Sequence, residues 1–148
     1  MGRLKFIHYK QPDEMDCGAT CLRMVAKYYG KTFSITDLRQ ATQTNREGIN
    51  LQGLADAAEK IGFRTLGVKV PFNKLIEDAP LPFIAHWNQN HFVIVYKIKG
   101  NSVFVCDPAK GNLLIQRADF IEKWKQKNEM GVALFMEPSA EFFKNDDE

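Results

Sequence analysis

The chain has 148 residues, of which 45% are hydrophobic and 11% aromatic, and this suits one globular domain with a buried core. A formal net charge of +2, with no basic run interleaved with aromatic residues, argues against a nucleic-acid-binding protein. No stretch reaches the roughly 18 consecutive apolar residues of a membrane span, and the N-terminal segment lacks the pattern of a secretory signal. Three cysteines make an odd number, so we expect free thiols in a reducing compartment.

The first half of the chain has the apolar periodicity of helices. We predict three of them, at residues 17–29, from about residue 34 onward, and at residues 51–61. Asp16 is a suitable N-cap for the first helix, and Gly30 is a natural stop. Ser34 and Asp37 have the spacing of a variant capping box at the start of the second.

The second half of the chain reads as β-strands, because short runs rich in β-branched and aromatic residues alternate with turn residues. We predict strands at residues 64–70, 82–87, 91–98, 102–107, 112–116 and 131–136, and a helix near residues 117–126. Helices followed by mostly antiparallel strands indicate an α+β fold. We assign residues 1–138 to a single domain and residues 139–148 to a linker or a frayed, disordered tail.

One cysteine has the environment of a nucleophile. Cys17 is predicted to begin a helix, where unpaired backbone N–H groups and the helix dipole favour the negatively charged thiolate. Gly18 follows it and is expected to leave room for another molecule to approach the thiol. By contrast, Cys21 and Cys106 are expected to be small buried apolar residues.

A nucleophilic cysteine needs a base, and the chain contains three histidines. His8 lies in the N-terminal arm and is expected to be solvated. His86 and His91 flank a polar turn, WNQN, between two predicted strands. Position favours His91, which opens a strongly apolar strand, and leaves His86 as an alternative that could equally be a core histidine.

Asp107 is the candidate group to orient that base. Residues 91–108 read as a hairpin that turns at Gly100 and Asn101, which brings Asp107 toward His91. With a two-residue loop alone the two side chains would point to opposite faces, whereas a three-residue loop or one β-bulge would place them on the same face. By itself Asp107 is also a common turn residue before proline.

A fourth candidate precedes the cysteine by six positions. The side-chain amide of Gln11 is a suitable donor, together with the backbone N–H of Cys17, for an oxyanion that forms during acyl transfer.

These residues carry a resemblance to a known family. The segments QPDEMDCGATCLRMVAKYYG, LPFIAHWNQNHFVIV and VCDPAKG resemble the N-terminal peptidase domain of bacteriocin-processing ABC exporters, family 39 of the papain-like cysteine peptidases. The similarity extends from about Leu4 to Pro138. It implies a papain-like fold with Cys17 as nucleophile, His91 as base, Asp107 as orienting group and Gln11 in the oxyanion hole.

The resemblance also implies a function. Such domains remove the leader of a secreted precursor peptide after a Gly-Gly pair, without metal or cofactor, on the cytoplasmic side of the bacterial membrane. Their partners are the leader segment and the transmembrane and ATPase domains of the same exporter. The sequence contains no G-x-x-x-x-G-K-[ST] phosphate loop, so we favour an excised domain over a free-standing peptidase.

Three other interpretations remain open from the sequence. One is a docking domain that binds leader peptides without turnover, and another is a related papain-like acyltransferase or amidase. The third is a metal site formed by Cys17, Cys21 and a histidine, which is disfavoured because structural zinc sites usually need a second close pair of ligands.

Overall fold

The computed structural model describes residues 6–42, 49–87 and 91–144 of the chain. Its helices are α1 (Cys17–Tyr28), α2 (Ile35–Thr42), α3 (Leu51–Lys60), α4 (Phe72–Asp78), α5 (Arg117–Trp124) and α6 (Ala140–Lys144). Its strands are β1 (Phe63–Val70), β2 (Phe83–Trp87), β3 (His91–Lys99), β4 (Ser102–Asp107), β5 (Gly111–Gln116) and β6 (Gly131–Pro138).

All six strands form one sheet in the order β1-β6-β2-β3-β4-β5, and every pairing in it is antiparallel. The six predicted strands are confirmed, with small shifts in their bounds. Because β6 lies between β1 and β2, the last strand joins β1 to the other four strands of the sheet. The α+β fold class is therefore confirmed.

The three predicted N-terminal helices are also present, and local capping explains two of their starts. The Ser34 hydroxyl accepts a hydrogen bond from the Asp37 N–H (3.0 Å) at the start of α2. The Asn50 side chain accepts one from the Gly53 N–H (2.8 Å) at the start of α3. Asp16 is the N-cap residue of α1, as predicted, although its side chain makes no capping hydrogen bond.

Helices cover both faces of the sheet. On one face α1 and α3 enclose a core with Phe92, Ile94 and other residues of the sheet. On the other face α4 and α5 enclose a second core around Phe120 and Trp124. The sequence does not predict α4, since seven residues after a proline are too few for a periodic signal.

A β-bulge in β3 sets the relation between the two ends of the central hairpin. Val95 pairs with Val105, whereas Lys97 pairs with Phe104, so Tyr96 is an extra residue on one strand. With that one-residue shift, His91 and Asp107 share a face of the sheet. The bulge that the sequence offered as one of two possibilities is therefore present.

The chain after β6 differs in part from the expected frayed tail. Residues Ala140–Lys144 form α6, and Phe142 is fully buried between Phe63 and Tyr29. These residues pack on the domain, and their assignment to an interdomain linker stays a prediction. Residues 88–90 of the expected WNQN turn and residues 145–148 of the tail lie outside the described part of the chain.

Candidate active site

The candidate nucleophile lies at the start of a buried helix. Cys17 is the first residue of α1 and is 6% exposed. Helix α1 packs against β3, the strand that His91 opens. The structure thus brings together a thiol at a helix N-terminus and an imidazole at the rim of the sheet.

His91 links Cys17 to Asp107. Its Nε2 donates a hydrogen bond to Asp107 Oδ1 over 2.8 Å, and its ring also makes a hydrogen bond with Cys17. Burial lowers the pKa of His91, but the hydrogen bonds and negative charges of Asp107 and Cys17 outweigh it and raise that pKa to about 9. The imidazole is therefore favoured in its protonated form when the thiolate is present.

The Asp107 carboxylate is buried and held by its own loop. Burial tends to raise its pKa, but hydrogen bonds from His91 and from the Ala109 N–H (2.8 Å) hold that pKa below its ordinary value. The same loop is tied to the N-terminal arm, because the Gln11 N–H donates to the Pro108 carbonyl (2.9 Å). The orienting carboxylate is thus fixed in its ionised form.

The side chain of Gln11 is engaged with the turn that precedes Cys17. Its Nε2 donates to the carbonyl of Asp13 (2.8 Å) and makes a longer contact with that of Glu14 (3.4 Å). Its Oε1 is buried and has no hydrogen-bond partner among the described residues. The amide is therefore held by backbone carbonyls close in sequence to the nucleophile.

The sequence predicted Asp16 only as an N-cap and did not predict its ion pair with Arg39. Asp16 is fully buried, and its carboxylate is paired in a two-point contact with the Arg39 guanidinium at 2.9 and 2.6 Å. The sequence shows an acid directly before the cysteine but not that it is buried, and its basic partner lies 23 residues away. No local pattern identifies such a pair.

The other two histidines have different surroundings. His86 is half-buried, and its ring packs on Phe92 with the centroids 4.9 Å apart. His8 is partly exposed, but its Nε2 is buried and lacks a hydrogen-bond partner within the described chain, so the expectation of a solvated side chain is wrong for this nitrogen. The histidine that contacts both Cys17 and Asp107 is His91.

The remaining cysteines are core residues, as expected. Cys21 donates to the Phe92 carbonyl (3.4 Å), and Cys106 contacts the Met24 sulfur (3.7 Å). Burial raises the pKa of Cys21 well above its ordinary value and that of Cys106 to about 12. Within residues 6–42, 49–87 and 91–144, no group of three or more His, Cys, Asp and Glu is arranged to hold a metal ion.

The expectation for Gly18 is wrong. Its missing side chain makes room for the core and not for an approaching molecule, since a Cβ there would lie 2.6 Å from Ile49 Cγ2. Phe92 and Leu54 lie close to the same point, at 3.6 and 3.8 Å. Gly18 thus allows α1 to dock closely on its neighbours.

Comparison with known proteins identifies the family. The model of the peptidase C39 family matches residues 5–141. The chain belongs to this family. It is accordingly a cysteine peptidase domain, and the resemblance inferred from the sequence motifs is confirmed.

Two processing and transport proteins are among the relatives of this C39 domain. The Lactococcin-G-processing and transport ATP-binding protein LagD of Lactococcus lactis subsp. lactis is 38% identical over 94% of the chain and 20% of its own length. The Transport/processing ATP-binding protein ComA of Streptococcus pneumoniae is 35% identical over 91% of the chain and 19% of its own length. The C39 domain thus spans about a fifth of the length of these relatives.

Solved structures share the fold. A double-glycine-motif protease domain of an AMS/PCAT transporter, determined with its leader peptide, has a TM-score of 0.85 and 32% identity, covering 93% of this chain and 95% of that one. The peptidase domain of Streptococcus ComA has a TM-score of 0.81 and 30% identity, covering 93% of this chain and all 100% of that one. Among the described residues, no helix of the C39 domain combines the length and apolar character of a membrane span.

Proposed function

We propose that this C39 domain is an endopeptidase that removes the leader of a secreted precursor peptide after a Gly-Gly pair. The observation that carries the proposal is the hydrogen-bonded chain from Cys17 through His91 to the buried carboxylate of Asp107. The likeness to a double-glycine protease domain solved with its leader peptide supports the choice of substrate.

In this proposal Cys17 and His91 act as a thiolate–imidazolium pair. The thiolate attacks the carbonyl carbon of the second glycine, and the C–N bond of the tetrahedral intermediate then breaks as His91 gives its proton to the departing amine. His91 next accepts a proton from the water that cleaves the thioester, which releases the leader and regenerates the thiol group. Asp107 keeps the imidazole in one orientation and stabilises its positive charge.

The oxyanion of each intermediate needs donors beside Cys17. We assign this role to the Cys17 N–H at the helix start and to the side-chain amide of Gln11. That amide lies in the turn before Cys17, where it also donates to the Asp13 carbonyl. Removal of one such donor typically lowers the rate about 100- to 1,000-fold.

The burial of Cys17 favours glycine at the cleavage site. The thiol is only 6% exposed, so the scissile carbonyl must come close to the surrounding protein. A Gly-Gly pair has no side chains to exclude and accommodates backbone angles that other residues avoid.

The partners and location follow from the relatives. We infer that the domain works beside transmembrane and ATPase domains of an exporter on the same full-length chain, at the cytoplasmic side of a bacterial membrane. The relatives' transport and ATP-binding names and the fifth of their length that the domain covers support this inference.

Cleavage of a synthetic leader peptide that contains Gly-Gly followed by several cargo residues tests the proposal. Mass spectrometry should find a single cut after the second glycine with wild type and none with Cys17→Ala, which should still bind the leader. Cys106→Ala is the control for loss of a thiol and should retain cleavage, because Cys106 lies in the core beside Met24.

Three results would contradict the proposal in different ways. Tight leader binding without a cut by wild type would indicate a docking domain. Transfer of the leader to an added amine in preference to water would indicate an acyltransferase. Loss of both leader binding and cleavage in Cys17→Ala would assign Cys17 a structural role.

A further inference from the structure

An ion pair between a buried acid and a partly exposed arginine adjoins the nucleophile and takes no part in the mechanism above. Arg39 Nε donates to Asp16 Oδ1 over 2.9 Å, and Arg39 Nη2 donates to Oδ2 over 2.6 Å. The Asp16 side chain is fully buried, whereas that of Arg39 is 38% exposed. Two parallel charge-assisted hydrogen bonds fix both the position and the plane of the carboxylate.

The same carboxylate closes the turn that leads into α1. The Asp13 N–H donates to Asp16 Oδ2 (3.1 Å), and the Asp16 N–H donates to the Asp13 carbonyl (3.0 Å). These two bonds join the ends of residues 13–16. Cys17 follows the closed turn directly, so its backbone N–H is positioned by that turn.

Gln11 is attached to this turn by its side chain. Its Nε2 donates to the Asp13 carbonyl over 2.8 Å, and the Glu14 carbonyl is a second, longer contact at 3.4 Å. A continuous series of hydrogen bonds therefore runs from Arg39 on α2 through Asp16 and Asp13 to the amide of Gln11. Both donors assigned to the oxyanion are thus connected to this turn, Gln11 through its side chain and Cys17 as the residue that follows it.

We propose that Asp16 and Arg39 are positioning residues for the oxyanion donors. Their ion pair holds the turn at residues 13–16 in the one geometry that aims the Gln11 amide and the Cys17 N–H at the same point. This inference rests on the proposed peptidase function. A simple link between α1 and α2 would need no charge, and burying a charge is costly unless it is well paired. The Asp16 carboxylate also accepts a hydrogen bond from the Asp13 N–H, which indicates that the ion pair stabilises the turn at residues 13–16.

Kinetics of Asp16→Asn test the proposal, since asparagine has the same shape but lacks the carboxylate that makes the two-point contact with Arg39; the longer contact of Arg39 with Asp13 (3.6 Å) would remain. We expect kcat on the Gly-Gly peptide to fall about 10- to 100-fold with KM little changed, because small displacements of catalytic groups have effects of that size. Arg39→Lys keeps the charge but loses the two-point contact, and its kcat should fall between those of wild type and Asp16→Asn.

A double-mutant cycle separates positioning from a general loss of stability. If Asp16 acts through Gln11, Asp16→Asn should lower kcat much less in a Gln11→Ala background than in wild type. Equal effects in both backgrounds would overturn the proposal, as would an unchanged kcat in Asp16→Asn. Arg64→Gln is the control, because it removes an exposed ion pair with Glu137 (3.3 Å) and should leave kcat unchanged.

NMR gives a readout that does not depend on cleavage. The side-chain NH₂ signals of Gln11 should shift and exchange faster with water in Asp16→Asn than in wild type. Unchanged Gln11 signals would refute the positioning role even if wild type cuts no peptide. Failure of wild type to cut, with shifted Gln11 signals, would refute the proposed function and leave the coupling of Asp16 to Gln11 established.

Discussion

At the scale of single residues, the candidate site depends on two opposite pKa changes. Burial lowers the pKa of His91, but its hydrogen bonds to Asp107 and Cys17 raise it to about 9. Burial raises the pKa of Asp107, but the hydrogen bonds from His91 and the Ala109 N–H bring it below its ordinary value. Each partner thus favours the charged form of the other, in the manner of a paired base and its orienting group.

We predict that Asp107→Asn lowers kcat/KM at least 10-fold and shifts its pH dependence. In wild type the alkaline limb should lie near pH 9, where His91 loses its proton. Without the carboxylate, the pKa of His91 should fall toward its ordinary value of 6.5, and the limb should move to lower pH. The pH dependence of iodoacetamide alkylation at Cys17 measures the same shift without substrate.

His86→Gln is the control for this measurement, because its ring packs on Phe92 and should not set the alkaline limb. If the alkaline limb of the kcat/KM profile does not move in Asp107→Asn, Asp107 does not set the pKa of His91 and has no orienting role.

Stability should change in the same pH window. Because the pKa of His91 is higher in the folded protein than its ordinary value of 6.5, protonated His91 stabilises the fold. This stabilisation is complete below pH 6.5 and is lost as the pH rises through about 9. Because the pKa of Asp107 is lower in the folded protein than its ordinary value, ionised Asp107 stabilises the fold at pH values above the ordinary aspartate pKa. This stabilisation is lost as the pH falls through the lowered pKa. The pair therefore contributes most between these limits.

At the scale of elements, the position of Cys17 depends on how closely α1 docks. Gly18 has no Cβ, and one placed there would lie 2.6 Å from Ile49 Cγ2 and 3.6 Å from Phe92. Because Phe92 follows His91 in β3, the contact that seats α1 also sets the distance between the nucleophile's helix and the base's strand.

We predict that Gly18→Ala lowers the free energy of unfolding by about 1–3 kcal/mol, since a methyl group in a filled core forces its neighbours to move. Activity per folded molecule should fall as well, because the movement separates α1 from β3. Chemical denaturation and active-site titration measure the two effects. Gly67→Ala is the control, since its Cβ would meet only the flexible end of Leu51 at 3.3 Å. Equal stability of Gly18→Ala and wild type would show that Ile49 yields without cost.

At the scale of the whole molecule, distant segments meet because helices cover both faces of the sheet and the order of the strands in the sheet differs from their order in the chain. The last strand, β6, lies between β1 and β2, and α6 returns to the N-terminal helices. Phe142 of α6 packs against Phe63 at the start of β1 (centroids 4.7 Å apart) and against Tyr29 at the end of α1 (6.5 Å). The end of the described chain thus forms part of the core that α1 and α3 enclose against the sheet.

We predict that Phe142→Ala lowers the free energy of unfolding by about 3–5 kcal/mol, the usual cost of removing a fully buried phenylalanine. Phe143→Ala is a matched control one residue away, because Phe143 is 52% exposed, and it should cost less than about 1 kcal/mol. Denaturant titration of both variants measures these two changes in the free energy of unfolding. Equal, small effects would mean that α6 contributes little and that residues from 139 onward behave as a linker.

The sequence by itself determined most of the elements, though not α4 or α6, and the order of the chemical groups. Apolar periodicity is a local property, so it located α1, α3 and the six strands, and the motif around Cys17 identified the family. Parity along the strands showed that His91 and Asp107 need a bulge to share a face, without locating it.

The tertiary structure alone decided the bulge at Tyr96, the partner of Asp16, the packing around Gly18 and the burial of Phe142. Each depends on contacts between residues far apart in the chain, where only the complete packing determines which groups meet. A buried charge must find its partner wherever the fold brings one, and Asp16 finds Arg39 on another helix.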